Sequence, residues 1–272
     1  STLLASSAAS DVYKRQVFPF GTTGEFYAHD MGFYREVLAV TKDAVHGRMD
    51  IYAGANNITT RGAVEIAKAV EQVGGIDALS VLTPMFVSQT QYEVSEYYRE
   101  IASETNLPII IYNNRPKTNV TVEPATVAKL AEIDNIIGVK DSTGDMTNTE
   151  EYLRLTRGMA NFHVMMGRDT LIYAALCYGA SGAIASCANV APKIAVEIYE
   201  KFRAGDAAGA LDAQFRFSAL RIATNMGTFP VVLKEALKLI GHDCGDCVKP
   251  IQPLNDEQRA RLKKVLVDMG LL

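Results

Sequence analysis

Lys140 is the residue with the clearest potential for chemistry, because it ends an apolar run that should be buried. The run Ile136 to Lys140 predicts a strand, and polar and turn residues follow it directly. An ammonium group is costly to bury unless it is paired, neutral or used. A buried lysine loses its proton readily, and it is the usual amine nucleophile for Schiff-base chemistry. A solvated lysine at a strand end, paired with Asp141, is the alternative.

Polar residues also follow the other apolar runs. They occur at Gly21-Thr22-Thr23-Gly24-Glu25, Thr83-Pro84-Met85-Phe86, Tyr112-Asn113-Asn114, Gly167-Arg168-Asp169 and Ile184-Ala185-Ser186. The set offers a phenol, hydroxyls and glycine-flanked amides, with few carboxylates and no histidine. It favours carbonyl chemistry over metal-dependent hydrolysis, and neither a metal nor a cofactor is expected.

Two of these segments have plain structural alternatives. The Gly-Thr-Thr-Gly-Glu loop suits a small carboxylate, because its hydroxyls and backbone N–H groups precede a helix. A tight turn with a hydroxyl cap is equally compatible with it. Tyr112 is equally compatible with a core aromatic residue whose hydroxyl finds a partner.

The elements that must position these residues alternate regularly between strand and helix. Apolar runs begin at Ile51, Ala78, Ile109, Ile136 and His163, which are 27, 31, 27 and 27 residues apart. This period fits one strand, one helix and two short loops, so a βα array is predicted. The constant period favours a (β/α)8 TIM barrel over a doubly wound sheet, and no glycine-rich dinucleotide fingerprint follows an early strand.

Seven strands are predicted, so the first βα unit of a barrel is missing or replaced. The predicted strands are Val17–Phe20, Ile51–Ala53, Ala78–Leu82, Ile109–Tyr112, Ile136–Lys140, His163–Met166 and Gly182–Ser186. We predict a non-native or disordered segment over residues 1–16, the barrel over 17–204 and a C-terminal helical extension over 205–272. The opening segment lacks the order of a signal peptide.

Composition excludes several classes of partner. The net charge of −4 offers no basic excess for nucleic acid or an anionic membrane. No apolar run approaches the ~20 residues that a membrane span needs. Four cysteines in a long chain do not form a disulfide framework, so a cytoplasmic protein with a small-molecule substrate is expected.

The motifs at the strand ends, in this order and spacing, resemble the dihydrodipicolinate synthase / N-acetylneuraminate lyase family of pyruvate-dependent class I aldolases. The resemblance runs from Val17 to Leu272 and includes Gly138-Val139-Lys140-Asp141 and the segment from Gly179 to Ser186. It implies a TIM barrel with a C-terminal helical extension. It also implies a homotetramer built as a dimer of dimers.

The resemblance assigns roles to individual residues. Lys140 would form the Schiff base with pyruvate or another 2-keto acid, and Tyr112 would carry protons. Thr22 and Thr23 would hold the carboxylate and support the Tyr112 hydroxyl. The remaining positions would line the pocket for substrate, namely Gly21, Asn114, Lys117, Ser142, Gly167, Asp169, Ile184 and Ser186.

Two departures from the family pattern bear on the substrate. Synthases of the family usually carry a Tyr-Tyr pair where this chain has Met85-Phe86, and an arginine where it has Lys117. Lysine is a point charge and not a bidentate fork, so the second exchange is not neutral. Both favour a lyase for 2-keto-3-deoxy sugar acids. The alternatives are a synthase that condenses pyruvate with aspartate semialdehyde, and a non-catalytic ligand-binding barrel.

Overall fold

The computed structural model describes residues 16–272, which form an α/β fold with one parallel sheet. Its seven strands are β1 (Gln16–Val17), β2 (Asp50–Gly54), β3 (Ala78–Leu82), β4 (Ile109–Asn113), β5 (Ile136–Asp141), β6 (His163–Met166) and β7 (Gly182–Ala183). The predicted segment 1–16 lies outside the described residues except for Gln16, which pairs with Asp50.

The strands are hydrogen-bonded in the order of the sequence, from β1 to β7, and every pair is parallel. The sheet curls on itself, because the Gln16 side chain of β1 donates a hydrogen bond to the Ala183 carbonyl of β7 at 3.2 Å. The predicted βα array is confirmed. All carboxyl ends of the strands therefore point to one end of the molecule.

Helices follow the strands and continue after the sheet ends. They are α1 (Met31–Val45), α2 (Thr60–Val73), α3 (Gln91–Ser103), α4 (Arg115–Thr118), α5 (Pro124–Leu130), α6 (Met146–Leu155), α7 (Ile172–Cys177), α8 (Pro192–Arg203), α9 (Ala207–Ala223), α10 (Val231–Leu239) and α11 (Asp256–Asp268). Among residues 16–272, none of these helices is long and apolar enough to cross a bilayer.

The first and last predicted strands are longer in the prediction than in the structure. The first ends at Val17, and Phe20 takes a left-handed conformation with φ of 58°, which stops strand geometry. The last ends at Ala183, and a 3₁₀ turn begins at Ser186. Apolar composition predicted both runs, but the backbone turns within them to form the loops of the site.

Two groups of buried side chains form the core. One joins the sheet up to Val164 of β6 to the helices α1, α2, α3, α5 and α6, and it includes the fully buried Leu38, Leu79 and Ile111. The other runs from Met166 through the C-terminal helices and centres on Phe217 and Leu220 of α9. The C-terminal helices thus share a core with the last βα units. The predicted division at residue 204 stays a prediction.

Candidate active site

Lys140 and Tyr112 lie side by side because their strands pair directly. Tyr112 of β4 is the register partner of Lys140 of β5. Lys140 is 6% exposed and Tyr112 is 3% exposed, and the Lys140 Nζ lies 4.1 Å from the centroid of the Tyr112 ring. The Phe18 ring covers the same amine at 4.5 Å from its centroid. The amine is thus enclosed by aromatic faces, which attract a cation and exclude water.

Burial lowers the pKa of Lys140 below its ordinary value, because the charged form loses its hydration. The Tyr112 hydroxyl and the more distant Asp169 carboxylate act in the opposite direction and do not reverse the shift. A larger fraction of Lys140 is therefore neutral near pH 7 than for a surface lysine. A neutral amine is the form that attacks a ketone.

The Tyr112 hydroxyl is held by neighbours on three elements. It lies 3.1 Å from the Thr22 hydroxyl and accepts a hydrogen bond from the Asn114 amide at 2.9 Å. Burial raises its pKa, but the charge of Lys140 and the hydrogen bonds from Thr22, Ser142 and Asn114 outweigh burial and lower the pKa below the ordinary value. A phenol with a lowered pKa beside an amine suits proton transfer.

The Gly-Thr-Thr-Gly-Glu loop is a tight turn fixed at its end by a buried ion pair. The Gly24 and Glu25 N–H groups donate to the carbonyls of Gly21 and Thr22 at 3.0 and 3.2 Å. Glu25 has a left-handed backbone with φ of 51°, and its carboxylate contacts the Lys234 Nζ of α10 at 2.6 Å. The two alternatives for this segment, a tight turn and a site for a carboxylate, are therefore compatible, because the turn presents Thr22 and Thr23 to the cavity.

On the other side of Lys140, Asp169 organises the loops after β6 and β7. Its carboxylate accepts hydrogen bonds from the Ser186 hydroxyl at 3.0 Å and from the Cys187 N–H at 2.7 Å. The Arg221 guanidinium of α9 lies 3.5 Å from the same carboxylate. Asp169 is 2% exposed, so it works mainly as a structural acceptor that ties these loops to α9.

Gly167 and Ser142 are packed so closely that the glycine is required. A β-carbon at position 167 would lie 1.9 Å from the Ser142 Oγ and 3.0 Å from the Asp141 carbonyl oxygen. The Ile184 N–H donates to the Met166 carbonyl at 2.9 Å. The Ser142 hydroxyl hydrogen-bonds Tyr112, and the Ile184 N–H bonds β6 one residue after β7 ends.

One cavity of about 850 Å³ brings together all twelve residues that the sequence predicted for the site. The structure confirms their proximity, and their individual roles stay predictions. Asn114 lines the cavity as predicted, and its amide also donates a hydrogen bond to the Tyr112 hydroxyl. Within residues 16–272, no group of His, Cys, Asp or Glu side chains is arranged to hold a metal ion.

Three cavity residues were missed by the sequence analysis. Phe18 was predicted as part of a strand, yet its ring lies against the Lys140 amine. Arg168 was noticed only as part of the Gly-Arg-Asp motif, and Arg221 lies in the helical extension. The motif was a signal for Arg168. No local sequence signal exists for Arg221, since only the packing of α9 against the sheet brings it to the cavity.

The fold and site together fit an enzyme of the class I aldolase type, with a buried lysine amine at the carboxyl end of a parallel α/β sheet. Comparison with known proteins gives the family. The sequence profile of the dihydrodipicolinate synthetase family matches residues 14–269. The chain belongs to this family of pyruvate-dependent lyases.

Individual relatives agree with this assignment. The 4-hydroxy-tetrahydrodipicolinate synthase of Archaeoglobus fulgidus is 33% identical over 254 residues, which cover 93% of this chain and 86% of the relative. The dihydrodipicolinate synthase of Acinetobacter baumannii, solved in complex with pyruvate, is 29% identical with a TM-score of 0.94, covering 100% of this chain and 92% of that one. A prophage protein of the family from E. coli K12, also solved with pyruvate, is 25% identical with a TM-score of 0.94, covering 99% and 92%.

Proposed function

We propose that the chain condenses pyruvate with aspartate semialdehyde, as a 4-hydroxy-tetrahydrodipicolinate synthase. The observation that carries the pyruvate half is the buried pair of Lys140 and Tyr112, with Thr22 bonded to the phenol. The second half rests on the relatives, because the curated relative from Archaeoglobus fulgidus carries this name at 33% identity. The comparisons therefore favour the alternative of the sequence analysis over its main prediction.

The proposed reaction begins at the Lys140 amine. Its lone pair attacks the ketone carbon of pyruvate, and the oxygen takes a proton from the Tyr112 hydroxyl to give a carbinolamine. The Tyr112 phenolate takes a proton from the carbinolamine nitrogen and passes it to this oxygen, which leaves as water, so that the protonated imine stands beside the Tyr112 phenolate. Removal of a proton from the pyruvate methyl group then gives an enamine. Its carbon attacks the aldehyde, and the new alkoxide takes a proton.

The Gly-Thr-Thr-Gly-Glu loop fits the carboxylate of pyruvate in this scheme. Thr22 and Thr23 line the same cavity as Tyr112 and Lys140, so their hydroxyls are available as donors to a bound carboxylate. A carboxylate held by such donors would keep the ketone carbon next to Lys140. Holding the ketone carbon next to the amine in this way can supply a large part of the rate enhancement.

A lyase for 2-keto-3-deoxy sugar acids is the second candidate. Phe86 stands where synthases of the family usually have a tyrosine, so it has no hydroxyl to donate. Lys117 stands where they have an arginine, and it is exposed at the mouth of the cavity, 5.7 Å from the Phe229 ring centroid. The same imine would serve this reaction, in which a carbon–carbon bond next to the iminium breaks.

Reduction with borohydride in the presence of pyruvate tests the mechanism. We expect mass spectrometry to find the adduct on Lys140, and to find none in Lys140→Met. Lys129→Met, which changes an exposed lysine, should react like the wild type. An unmodified Lys140 together with an unchanged melting temperature in pyruvate would support the non-catalytic alternative.

A substrate panel separates the two enzymatic candidates. The synthase should consume pyruvate when aspartate semialdehyde is supplied. Cleavage of 2-keto-3-deoxygluconate to pyruvate, with no consumption of aspartate semialdehyde, would reject the synthase and support the lyase.

We also propose that the sheet is a (β/α)8 barrel whose first βα unit is missing or replaced, and that the chain assembles as a homotetramer, a dimer of dimers. The near contact of β1 with β7 supports the barrel. Exposed apolar side chains support assembly, since Phe86 is 89% exposed with φ of 81°, and Val87 and Tyr92 are 60% and 73% exposed. Sedimentation equilibrium should give four chains per particle, and a monomer at micromolar concentration would contradict the assembly.

A further inference from the structure

Basic side chains dominate the end of the cavity at which Lys140 lies. Besides Lys140 itself, Lys117, Arg168 and Arg221 line this end, and the only carboxylate among the described residues there is Asp169. The other two acidic lining residues lie at the opposite end of the strands. Asp50 is the first residue of β2, and Glu200 is near the end of α8, which runs antiparallel to the sheet.

Asp169 balances only one of these charges. Its two oxygens already accept from the Ser186 hydroxyl and the Cys187 N–H, and its ion pair is with Arg221 at 3.5 Å. The Arg168 guanidinium makes no direct hydrogen bond or ion pair with any residue from 16 to 272. A half-buried guanidinium without a partner is costly, because its five donors are matched only by water.

Arg168 is also close enough to Arg221 for their charges to repel. Burial lowers the pKa of Arg168, the positive charge of Arg221 lowers it further, and the charge of Asp169 opposes this shift without reversing it. The Arg168 side chain extends across the mouth toward the loop after β5, where a β-carbon added to Gly144 would lie 3.7 Å from its Nε. It is thus on the same side of the cavity as the loop that follows Lys140.

Arg221 is held in place by the packing of α9. Gln214, two turns earlier on this helix, donates to the Asp169 carbonyl at 2.9 Å and accepts from the Tyr173 N–H at 2.9 Å. Arg221 also bonds the Thr224 hydroxyl. The Arg221 side chain is 17% exposed, so it is preorganised at the cavity and does not move freely in solvent.

We propose that Arg168 and Arg221 form an anion subsite for a carboxylate or phosphate group that the second substrate carries away from its reacting carbonyl. The inference rests on the proposed function, and it narrows the substrate class to aldehydes or cleavable keto acids with a distal acidic group. A guanidinium pair offers forked donors that match the oxygens of such groups. A neutral polyhydroxyl tail would leave the excess positive charge at this end of the cavity without a counter-charge.

Binding of unreactive probes tests the subsite without requiring turnover. The enzyme is titrated calorimetrically with 4-hydroxybutyrate and with 1,4-butanediol, which has the same chain length and no charge. A second pair, glycerol 3-phosphate and glycerol, tests phosphate. We expect one anion, or both, to bind at least about ten-fold more tightly than its neutral counterpart, as hydrogen bonds to charged groups require.

Variants of Arg168 connect the preference to the subsite. Arg168→Gln should abolish most of the difference between anion and neutral probe, and Arg168→Lys should keep part of it. Arg61→Gln, which changes an arginine that is 90% exposed on α2, should behave as the wild type. Circular dichroism and melting temperature establish that the variants fold.

The outcomes separate the subsite from the proposed function. Equal binding of anionic and neutral probes by the wild type, or a preference that survives Arg168→Gln, would overturn the subsite even if Lys140 forms the pyruvate adduct. Failure of borohydride to modify Lys140 would overturn the proposed function. The probe titrations of the wild type and of Arg168→Gln require no reaction at Lys140, so they would still decide whether the arginines bind an anion.

Discussion

At the scale of single residues, the site is defined by what surrounds the Tyr112 hydroxyl. Asn114 gives it a donor from its own chain, two residues further along. An amide N–H can only donate a hydrogen bond, so the Tyr112 oxygen accepts it. This bond stabilises the phenolate more than the neutral phenol. Asn114 therefore helps to lower the pKa of Tyr112.

Replacing this donor should raise the pKa of Tyr112. In Asn114→Leu we expect the phenol to keep its proton to higher pH. The alkaline limb of the profile of kcat against pH should then shift to higher pH, and kcat should fall about ten-fold. The ultraviolet titration of tyrosinate, taken as a difference from Tyr112→Phe, measures the shift. Asn106→Leu changes an exposed asparagine and is the control. An unchanged profile in Asn114→Leu would contradict this role.

Gly167 is the position at which an added methyl group should do most harm. In Gly167→Ala the β-carbon would displace Ser142, and we expect the free energy of unfolding to fall by about 1–3 kcal/mol, as for other overpacked sites. Equilibrium urea unfolding measures this loss. Gly182→Ala is a matched control, because nothing lies within 4 Å of its added carbon. Equal losses in both variants would refute the steric reason.

Sequence reasoning found the residues whose position depends on a single strand end. Lys140 and Tyr112 were found because an apolar run that stops at a polar side chain marks the end of a buried strand. Arg221 was not found, because polar and apolar residues are mixed on every side of its helix. Only tertiary packing determines which side of that helix faces the cavity. The exact partners of Asn114 and Asp169 likewise depend on loop geometry that composition does not encode.

At the scale of elements, α6 is joined to β5 through a buried carboxylate. Asp141 is 1% exposed and accepts from the Thr149 hydroxyl at 2.7 Å and from the Thr143 N–H at 3.0 Å. Burial raises the pKa of Asp141, and these hydrogen bonds oppose the rise. The strand that carries Lys140 is thus bonded to the helix that follows it.

Removing the Thr149 hydroxyl should destabilise the chain most when Asp141 is charged. At pH 7 we expect Thr149→Val to lower the free energy of unfolding by about 1.5–3 kcal/mol, the range for a hydrogen bond to a charged group. The hydroxyl stabilises the carboxylate form, so the difference should shrink as pH falls through the raised pKa of Asp141. Urea unfolding between pH 7 and pH 4 measures it.

The control for this pair is Thr147→Val on the same helix. Thr147 is exposed, so the loss should be small and independent of pH. A loss in Thr149→Val that grows as pH falls would contradict the stated role of Asp141.

The strands that carry Tyr112 and Lys140 were predicted to within one residue, whereas the first and last strands and the short helix after Tyr112 were not. The bounds of β3 and β6 agree with the prediction, because Asp77 and Thr83 flank the apolar run of β3, and His163 and Gly167 bound that of β6. The short helix α4 was missed since it follows Tyr112 without a hydrophobic period. Four residues of helix cannot produce a pattern that sequence analysis would detect.

At the scale of the whole molecule, one ion pair joins the first loop of the site to the C-terminal helices. Glu25 is 3% exposed, and it contacts the Lys234 Nζ at 2.6 Å and accepts from the Val248 N–H at 2.9 Å. More than two hundred residues separate these partners. The C-terminal helices therefore support the loop that presents Thr22 and Thr23.

Breaking this ion pair should weaken both the fold and the binding of pyruvate. Lys234→Met leaves the buried Glu25 carboxylate without its counter-charge, which costs about 3–5 kcal/mol in comparable buried pairs. We expect KM for pyruvate to rise as the loop loosens, and calorimetry and steady-state kinetics measure the two effects. Lys238→Met is the control, because its ion pair with Asp243 is exposed and 3.9 Å long. An unchanged KM would show that the loop is held without Lys234.

The direct pairing of Tyr112 with Lys140 has a consequence for how such enzymes can be altered. Main-chain hydrogen bonds hold neighbouring strands about 4.8 Å apart whatever side chains lie elsewhere. The spacing between the proposed nucleophile and its proton carrier is therefore insulated from the helices that carry Arg221 and from the loop that carries Lys117. Grafting those segments from a relative should therefore change which aldehyde is accepted and leave the formation of the pyruvate imine unchanged.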